Sequence, residues 1–150
     1  MIFRQLSLYS MAAERPTRLD EYCRQLGVTI FNVQIPCLFC KFTLTLQDLA
    51  SFYTKELSLV WRDSLCYACC APCLRLCARF EKENFVRCIV KASYFESLLK
   101  VPLSEILVRC LYCFKKLDLA EKFDCCISDL PFHLVRHHWR NRCRLCKIES

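Results

Sequence analysis

The run Ile35-Pro36-Cys37-Leu38-Phe39-Cys40 returns as Val108-Arg109-Cys110-Leu111-Tyr112-Cys113, displaced by 73 positions. Outward from it, Cys70/Cys73 returns as Cys143/Cys146 at the same displacement, with no insertion or deletion. Two residues between thiols suit a chelating turn, and two such turns supply the four sulfurs that tetrahedral Zn2+ takes in structural sites. The chain reads as one metal-binding unit written twice.

The displacement holds beyond the cysteines. Tyr22 maps on Phe95, Leu26 on Leu99, Ile30 on Leu103, Val33 on Ile106, Leu44 on Leu117, Leu46 on Leu119 and Asp48 on Glu121. Apolar character is kept while identities drift, as a shared core requires. Positions 22, 26, 30 and 33 recur at helical spacing, which predicts an amphipathic helix ahead of each first CxxC, with Pro102 starting a new turn in the second copy. Each copy has 29 residues between its two CxxC pairs, room for a helix and a hairpin. Leu46 to Tyr53 and Leu119 to Phe123 read as helix; Ser58 to Trp61 and Phe132 to Val135 read as strand. The expected class is α+β, two small repeated zinc-binding subdomains joined by a helical connector. The expected division is a disordered arm over 1–16, subdomains over 17–76 and 93–147, a connector helix over 77–92 that breaks near Asn84, and a tail over 148–150.

Units of this size bury little apolar surface and usually need a metal or disulfides to hold a core. Fifteen cysteines would permit either, but the count is odd, Gly27 is the single glycine, and the first residues carry no cleavage-site pattern. Reduced thiols in cytosol or nucleus fit better. No apolar run approaches the roughly 18 residues of a membrane helix, so no membrane partner is expected. The formal charge of +7 falls to about +3 once eight ligands deprotonate and two zinc ions bind. The remaining basic residues crowd around the last CxxC: Arg136, Arg140, Arg142, Arg144 and Lys147.

CYACCAPCLRLC over 66–77 contains two overlapping CxxC readings, but 73 positions beyond Cys66 and Cys69 stand Trp139 and Arg142. The repeat therefore selects Cys70/Cys73. Cys37, Cys40, Cys70 and Cys73 share one ion; Cys110, Cys113, Cys143 and Cys146 share the other. Cross-bracing is disfavoured because 36 residues separate Cys73 from Cys110. Four thiolates leave no open position, so both ions are structural. The remaining seven, Cys23, Cys66, Cys69, Cys77, Cys88, Cys125 and Cys126, are read as small buried hydrophobes. His133, His137 and His138 precede Trp139 without a catalytic spacing, HExxH is missing, and one glycine builds no phosphate loop. Nothing argues for an enzyme.

The doubled spacing, LVWRDSLCYACCAPC in the first copy, and DCCISDLPFHLVRHHW with CRLC in the second resemble the papillomavirus early protein six family, over about residues 16 to 147. The resemblance implies two zinc subdomains joined by a helix, with a groove that grips acidic Leu-x-x-Leu-Leu peptides of host proteins. It places Leu57, Val60 and Leu74 on the apolar lining and Arg109 and Arg136 on the cationic rim. Such a protein would act as a viral adaptor in host nucleus and host cytoplasm, redirecting a HECT-type ubiquitin ligase and inhibiting apoptosis, differentiation and innate responses. The arginine that precedes the tryptophan in the best-studied branch is His138 in this sequence. That departure makes Mastermind-like coactivators, and so Notch repression, the alternative partner. A homodimer and direct nucleic-acid binding stay open as well. Ser150 is terminal with Ile148 two before it, so no PDZ partner is expected.

Overall fold

In the computed structural model the described residues run from 15 to 146. Among them the elements are α1 (Leu19–Leu26), α2 (Leu46–Thr54), β1 (Val60–Arg62), β2 (Leu65–Tyr67), α3 (Ala71–Asn84), β3 (Val86–Val90), α4 (Ala92–Leu99), β4 (Val108–Cys110), α5 (Leu119–Ile127), β5 (Phe132–Val135) and β6 (His138–Asn141). The chain divides into two compact units between Leu74 and Arg75. The class is α+β, with one tetracysteine cluster in each unit.

In the first unit β1 and β2 form an antiparallel hairpin, with Val60 opposite Tyr67. Leu19, Ile35, Leu49, Phe52, Leu57, Leu59 and Val60 are buried together with Cys37. The amphipathic helix is shorter than the apolar spacing implies. It ends at Gly27, which adopts φ 70° while its N–H returns to carbonyls of the last turn. A left-handed residue stops helix propagation there, so Val33 reaches the core from a loop, while Ile30 is half-buried and Leu26 is exposed. Lys100 closes α4 in the same way at φ 59°. The second copy thus accepts a strain of about 1–2 kcal/mol that glycine avoids. Thr45 caps α2, its hydroxyl accepting from the Asp48 N–H while Asp48 accepts from the Thr45 N–H. Asp118 and Glu121 make the same reciprocal cap on α5. Helix α5 runs four residues beyond the expected Phe123, to Ile127.

The second unit carries a four-stranded sheet in the order β3-β5-β6-β4. Neighbours β3/β5 and β5/β6 are antiparallel, whereas β4/β6 is parallel. Phe95 of α4 stacks on Phe132 of β5 at 3.9 Å between ring centroids, and Trp139 meets Phe95 edge-on at 4.9 Å. Both phenylalanines are fully buried. Each such side chain contributes about 2–3 kcal/mol by leaving water.

Beyond Asn84 the connector helix expected over 77–92 is corrected. Helix α3 ends at Asn84, whose amide donates to the Phe80 carbonyl, and residues 86–90 form β3. Val86, Ile89 and Val90 are β-branched, and pairing with β5 satisfies a backbone that a short exposed helix would leave to solvent. Pro102 does begin a turn, a 3-10 turn over Leu103–Glu105. The expected strand over Ser58 to Trp61 begins two residues late, at Val60. Most of the arm expected over 1–16 lies outside the described residues. Of its end, the Pro16 carbonyl accepts from the Trp61 indole N–H at 2.9 Å, and the neighbouring Thr17 carbonyl accepts from the Leu59 N–H at 2.7 Å. The tail over 148–150 and the PDZ expectation attached to it lie outside the described residues too. Among the described residues no helix is long and apolar enough to cross a membrane.

Candidate metal centres

Each first CxxC sits on a turn built by the same backbone bonds. The Cys37 N–H donates to the Phe42 carbonyl and the Lys41 N–H to the Cys37 carbonyl; in the second copy Cys110 bonds to Lys115 and Phe114 to Cys110. Lys41 and Phe114 take positive φ, 68° and 66°, to turn the chain back. Parallel bridges Cys37–Ala68 and Cys110–Asn141 then bring each turn against the approach to its second CxxC pair. Both CxxC pairs of a copy therefore converge.

The sulfurs of Cys37, Cys40, Cys70 and Cys73 all lie within 4.8 Å of one another, as do those of Cys110, Cys113, Cys143 and Cys146. Ligands about 2.3 Å from a tetrahedral zinc stand about 3.8 Å apart. Cys40 and Cys70 are 3.8 Å apart, and Cys113 and Cys143 are 3.7 Å apart. The two clusters fit two structural zinc ions, paired within each copy. Cys37 is held down to about 6: burial opposes this, but hydrogen bonds directed at its sulfur from the Cys40, Cys70 and Phe39 backbones and from Cys40 outweigh it. Cys143 is held far below the usual thiol range by hydrogen bonds from Cys110 and Cys113. Cys73 and Cys146 are pushed up, chiefly by burial, the latter to about 12. Zinc supplies the charge that lets them ionise, so loading releases protons.

Sequence reasoning missed a second pair of residues. Asp48, besides capping α2, accepts the Ala71 N–H at 3.1 Å; Glu121, besides capping α5, accepts the Arg144 N–H at 2.9 Å. Ala71 and Arg144 each follow the third cysteine of their site, so one carboxylate ties a helix start to a zinc turn in both copies. The signal was a retained acid, Asp48 on Glu121, in a repeat otherwise retained for apolar character. Among the described residues only the second brace is cationic. Lys115 reaches Glu121 at 2.6 Å, and Arg144 reaches Asp118 at 2.8 Å. Burial would raise the Glu121 carboxyl, yet Lys115 and the Arg144 and Asp118 N–H groups hold it below its usual range.

The other predicted residues fall in different surroundings. Leu57, Val60 and Leu74 are buried, at 5%, 2% and 1% exposure. They belong to the first unit and Arg109 and Arg136 to the second, so neither unit by itself brings the five together. Arg109 is half-buried and donates to the Phe114 carbonyl at 2.8 Å. The Arg136 guanidinium lies 3.7 Å over the Phe85 ring and 3.5 Å from Glu81, which also holds buried Arg140 at 3.4 Å. The basic cluster around the last CxxC is thus spent largely on internal pairs, with Lys147 outside the described residues. Burial pushes His138 down to about 4, so it is neutral at pH 7. Of the seven remaining cysteines, Cys23, Cys66, Cys69 and Cys125 are buried and Cys77 and Cys126 half-buried. Cys88 departs from expectation: it is exposed, because β3 is an edge strand.

A profile of the Early Protein (E6) family matches residues 37–146, spanning both clusters. Protein E6 of Human papillomavirus type 60 is 47% identical over 131 residues, 87% of this chain and 92% of that relative. Protein E6 of Human papillomavirus 65 is 47% identical over 136 residues, 91% of this chain and 97% of that relative. Protein E6 of Human papillomavirus 4 is 45% identical over 136 residues, with the same coverage. Similarity of this extent, laid over two four-cysteine zinc sites in a repeated α+β fold, establishes that the chain belongs to the papillomavirus Early Protein (E6) family.

Proposed function

We propose that this chain is a viral adaptor that captures acidic Leu-x-x-Leu-Leu helices of host proteins and redirects their owners, working in host nucleus and cytoplasm without catalysing a reaction. The observation that carries this reading is the family match across both zinc units, since the resemblance that implies peptide capture rests on those two units. Zinc-held units suit the capture of an amphipathic helix, because surfaces already ordered lose little entropy on binding. The pinning of Arg109 and Arg136 by their neighbours supports the same reading: cations already ordered need not be immobilised by an acidic peptide.

Two partner classes compete. A HECT-type ubiquitin ligase peptide would lead to altered ubiquitination and blocked apoptosis; a Mastermind-like peptide would lead to repressed Notch signalling. The neutrality of His138, where the best-studied branch has arginine, favours the Mastermind-like class. Nucleic-acid binding is disfavoured because Arg140 is buried against Glu81 and Arg144 is paired with Asp118.

Calorimetry of the zinc-loaded chain with short ligase-derived and Mastermind-derived peptides tests the proposal. The expected result is micromolar binding to one peptide, lost on substitution of its leucines and weakly dependent on salt. No binding to either, alongside DNA binding with a steep salt dependence, would overturn it. Arg109→Ala should weaken the peptide while both zinc ions stay bound.

A further inference from the structure

We propose that the first tetracysteine site is a thiol-disulfide switch, oxidised at Cys40 by small disulfides of the oxidised-glutathione class and closing as a Cys40–Cys70 disulfide, while the second site keeps its zinc. Two independent features separate the sites, and a third lets the first site close once it is attacked. In the second, Cys110, Cys113, Cys143 and Cys146 are all buried; in the first only Cys37 is, Cys70 and Cys73 are half-buried and Cys40 is exposed. Thiol–disulfide exchange needs an in-line approach to sulfur, so access decides which thiolate reacts. The second feature is the brace. Glu121 has Lys115 and Arg144 around it, whereas 73 positions earlier stand Phe42 and Ala71, so Asp48 holds its zinc turn by the Ala71 N–H without either cation. The third is a resolving thiol already in place, Cys70 Sγ at 3.8 Å from Cys40 Sγ. The corresponding pair in the second site, Cys113 and Cys143, is as close but both are buried. Proximity is common to the sites; access and bracing are not.

The chemistry balances without a further reagent. The Cys40 thiolate attacks one sulfur of the disulfide RS–SR, forming a Cys40–SR mixed disulfide and expelling RS−. The Cys70 thiolate then attacks the Cys40 sulfur, the bond to R breaks, and a second RS− leaves. Two protein thiolates are oxidised by two electrons and one small disulfide is reduced to two thiolates. With Cys40 and Cys70 joined, only Cys37 and Cys73 would remain to hold an ion at this site. A reducing thiol and fresh zinc reverse both steps.

The test uses the full zinc-loaded chain, oxidised glutathione and a chromogenic zinc chelator, with disulfides mapped by mass spectrometry. One equivalent of zinc should leave at least about tenfold faster than the other, together with a Cys40–Cys70 linked peptide. Two equivalents leaving at one rate would overturn the proposal, as would first-phase disulfides among Cys110, Cys113, Cys143 and Cys146. Because replacing a ligand could unfold the unit, the variants are made elsewhere. Cys88→Ser removes the exposed cysteine that is not a ligand and should leave the fast phase unchanged; a slowed fast phase would mean that attack starts at Cys88, against the proposal. Lys115→Ala should speed the second phase alone. Unchanged release from that variant would remove bracing as a cause of the difference and with it the proposal in this form.

Discussion

The two zinc units share more than ligand spacing. Bridges Pro36–Thr43 and Arg109–Lys116, and positive φ at Gly27/Lys100, Lys41/Phe114, Glu56/Asp129 and Asp63/Arg136, all recur at the same displacement. Even a cation–π contact recurs with its partners exchanged: Lys41 lies 4.7 Å over Tyr67, and Arg140, at the position of Tyr67, lies 4.7 Å over Phe114, at the position of Lys41. The units differ in enclosure. The first has a two-stranded hairpin, and its Leu59 N–H meets only the chain at Thr17; the second has at the corresponding place a full strand, β3, paired to β5. It also has Glu81 binding Arg136 and Arg140, and Lys122, where the first has Leu49, donating to the Leu103 and Ile106 carbonyls. A repeat can thus preserve backbone geometry while its copies diverge in burial and electrostatics, since hydrogen-bonded turns tolerate many side chains.

The sharpest way to break the comparison is to remove one ion. Cys143→Ser takes a ligand from the second site, and structural zinc is worth on the order of 10 kcal/mol. Zinc content should fall from two to one per chain and Trp139 fluorescence should report an unfolded second unit, while the surroundings of Trp61 stay native. Loss of both ions would show that the units do not fold separately. A smaller effect comes from the braces. Glu121→Ala strips a buried carboxylate from Lys115 and two N–H groups and should cost about 3 kcal/mol, whereas Asp48→Ala should cost about 1 kcal/mol. Urea unfolding of zinc-loaded protein measures both, and the reverse order would contradict the account of unequal bracing.

The smallest effect concerns pH. His138 stands where the first unit has Leu65, and burial lowers it from 6.5 to about 4. Its folded value lies below its unfolded one, so its contribution to stability is whole above pH 6.5 and is lost as pH falls toward 4. Comparing wild type with His138→Gln cancels the thiolates and His133, which titrate in both. The difference in unfolding free energy should shift against wild type between pH 7 and pH 5. A difference independent of pH would mean that this imidazole is solvated in the folded unit.

Much of the site was legible because its determinants are short in sequence. The CxxC spacing and the common displacement fixed the eight ligands and their pairing, and they excluded Cys66 and Cys69 from the crowded stretch. Helices α2 and α5 were visible from periodicity. Residues 86–90 were misread because Val86, Ile89 and Val90 suit a strand only with a partner, and that partner, β5, lies more than forty residues further on. The length of α1 was set by the left-handed turn at Gly27 rather than by the apolar positions beyond it. Leu57, Val60 and Leu74 had the composition of a lining and of a core alike, and composition cannot separate the two.

The sequence by itself determined which sulfurs meet, because chelation depends on a few bonds of local chain and on a repeat that copies them. Only the tertiary structure decided which sulfurs are hidden, which carboxylate is braced by cations and which arginines are already spent. Those properties arise from strand pairing and packing between residues far apart in the chain, where burial changes the energy of the same thiol or guanidinium without changing its place in the sequence.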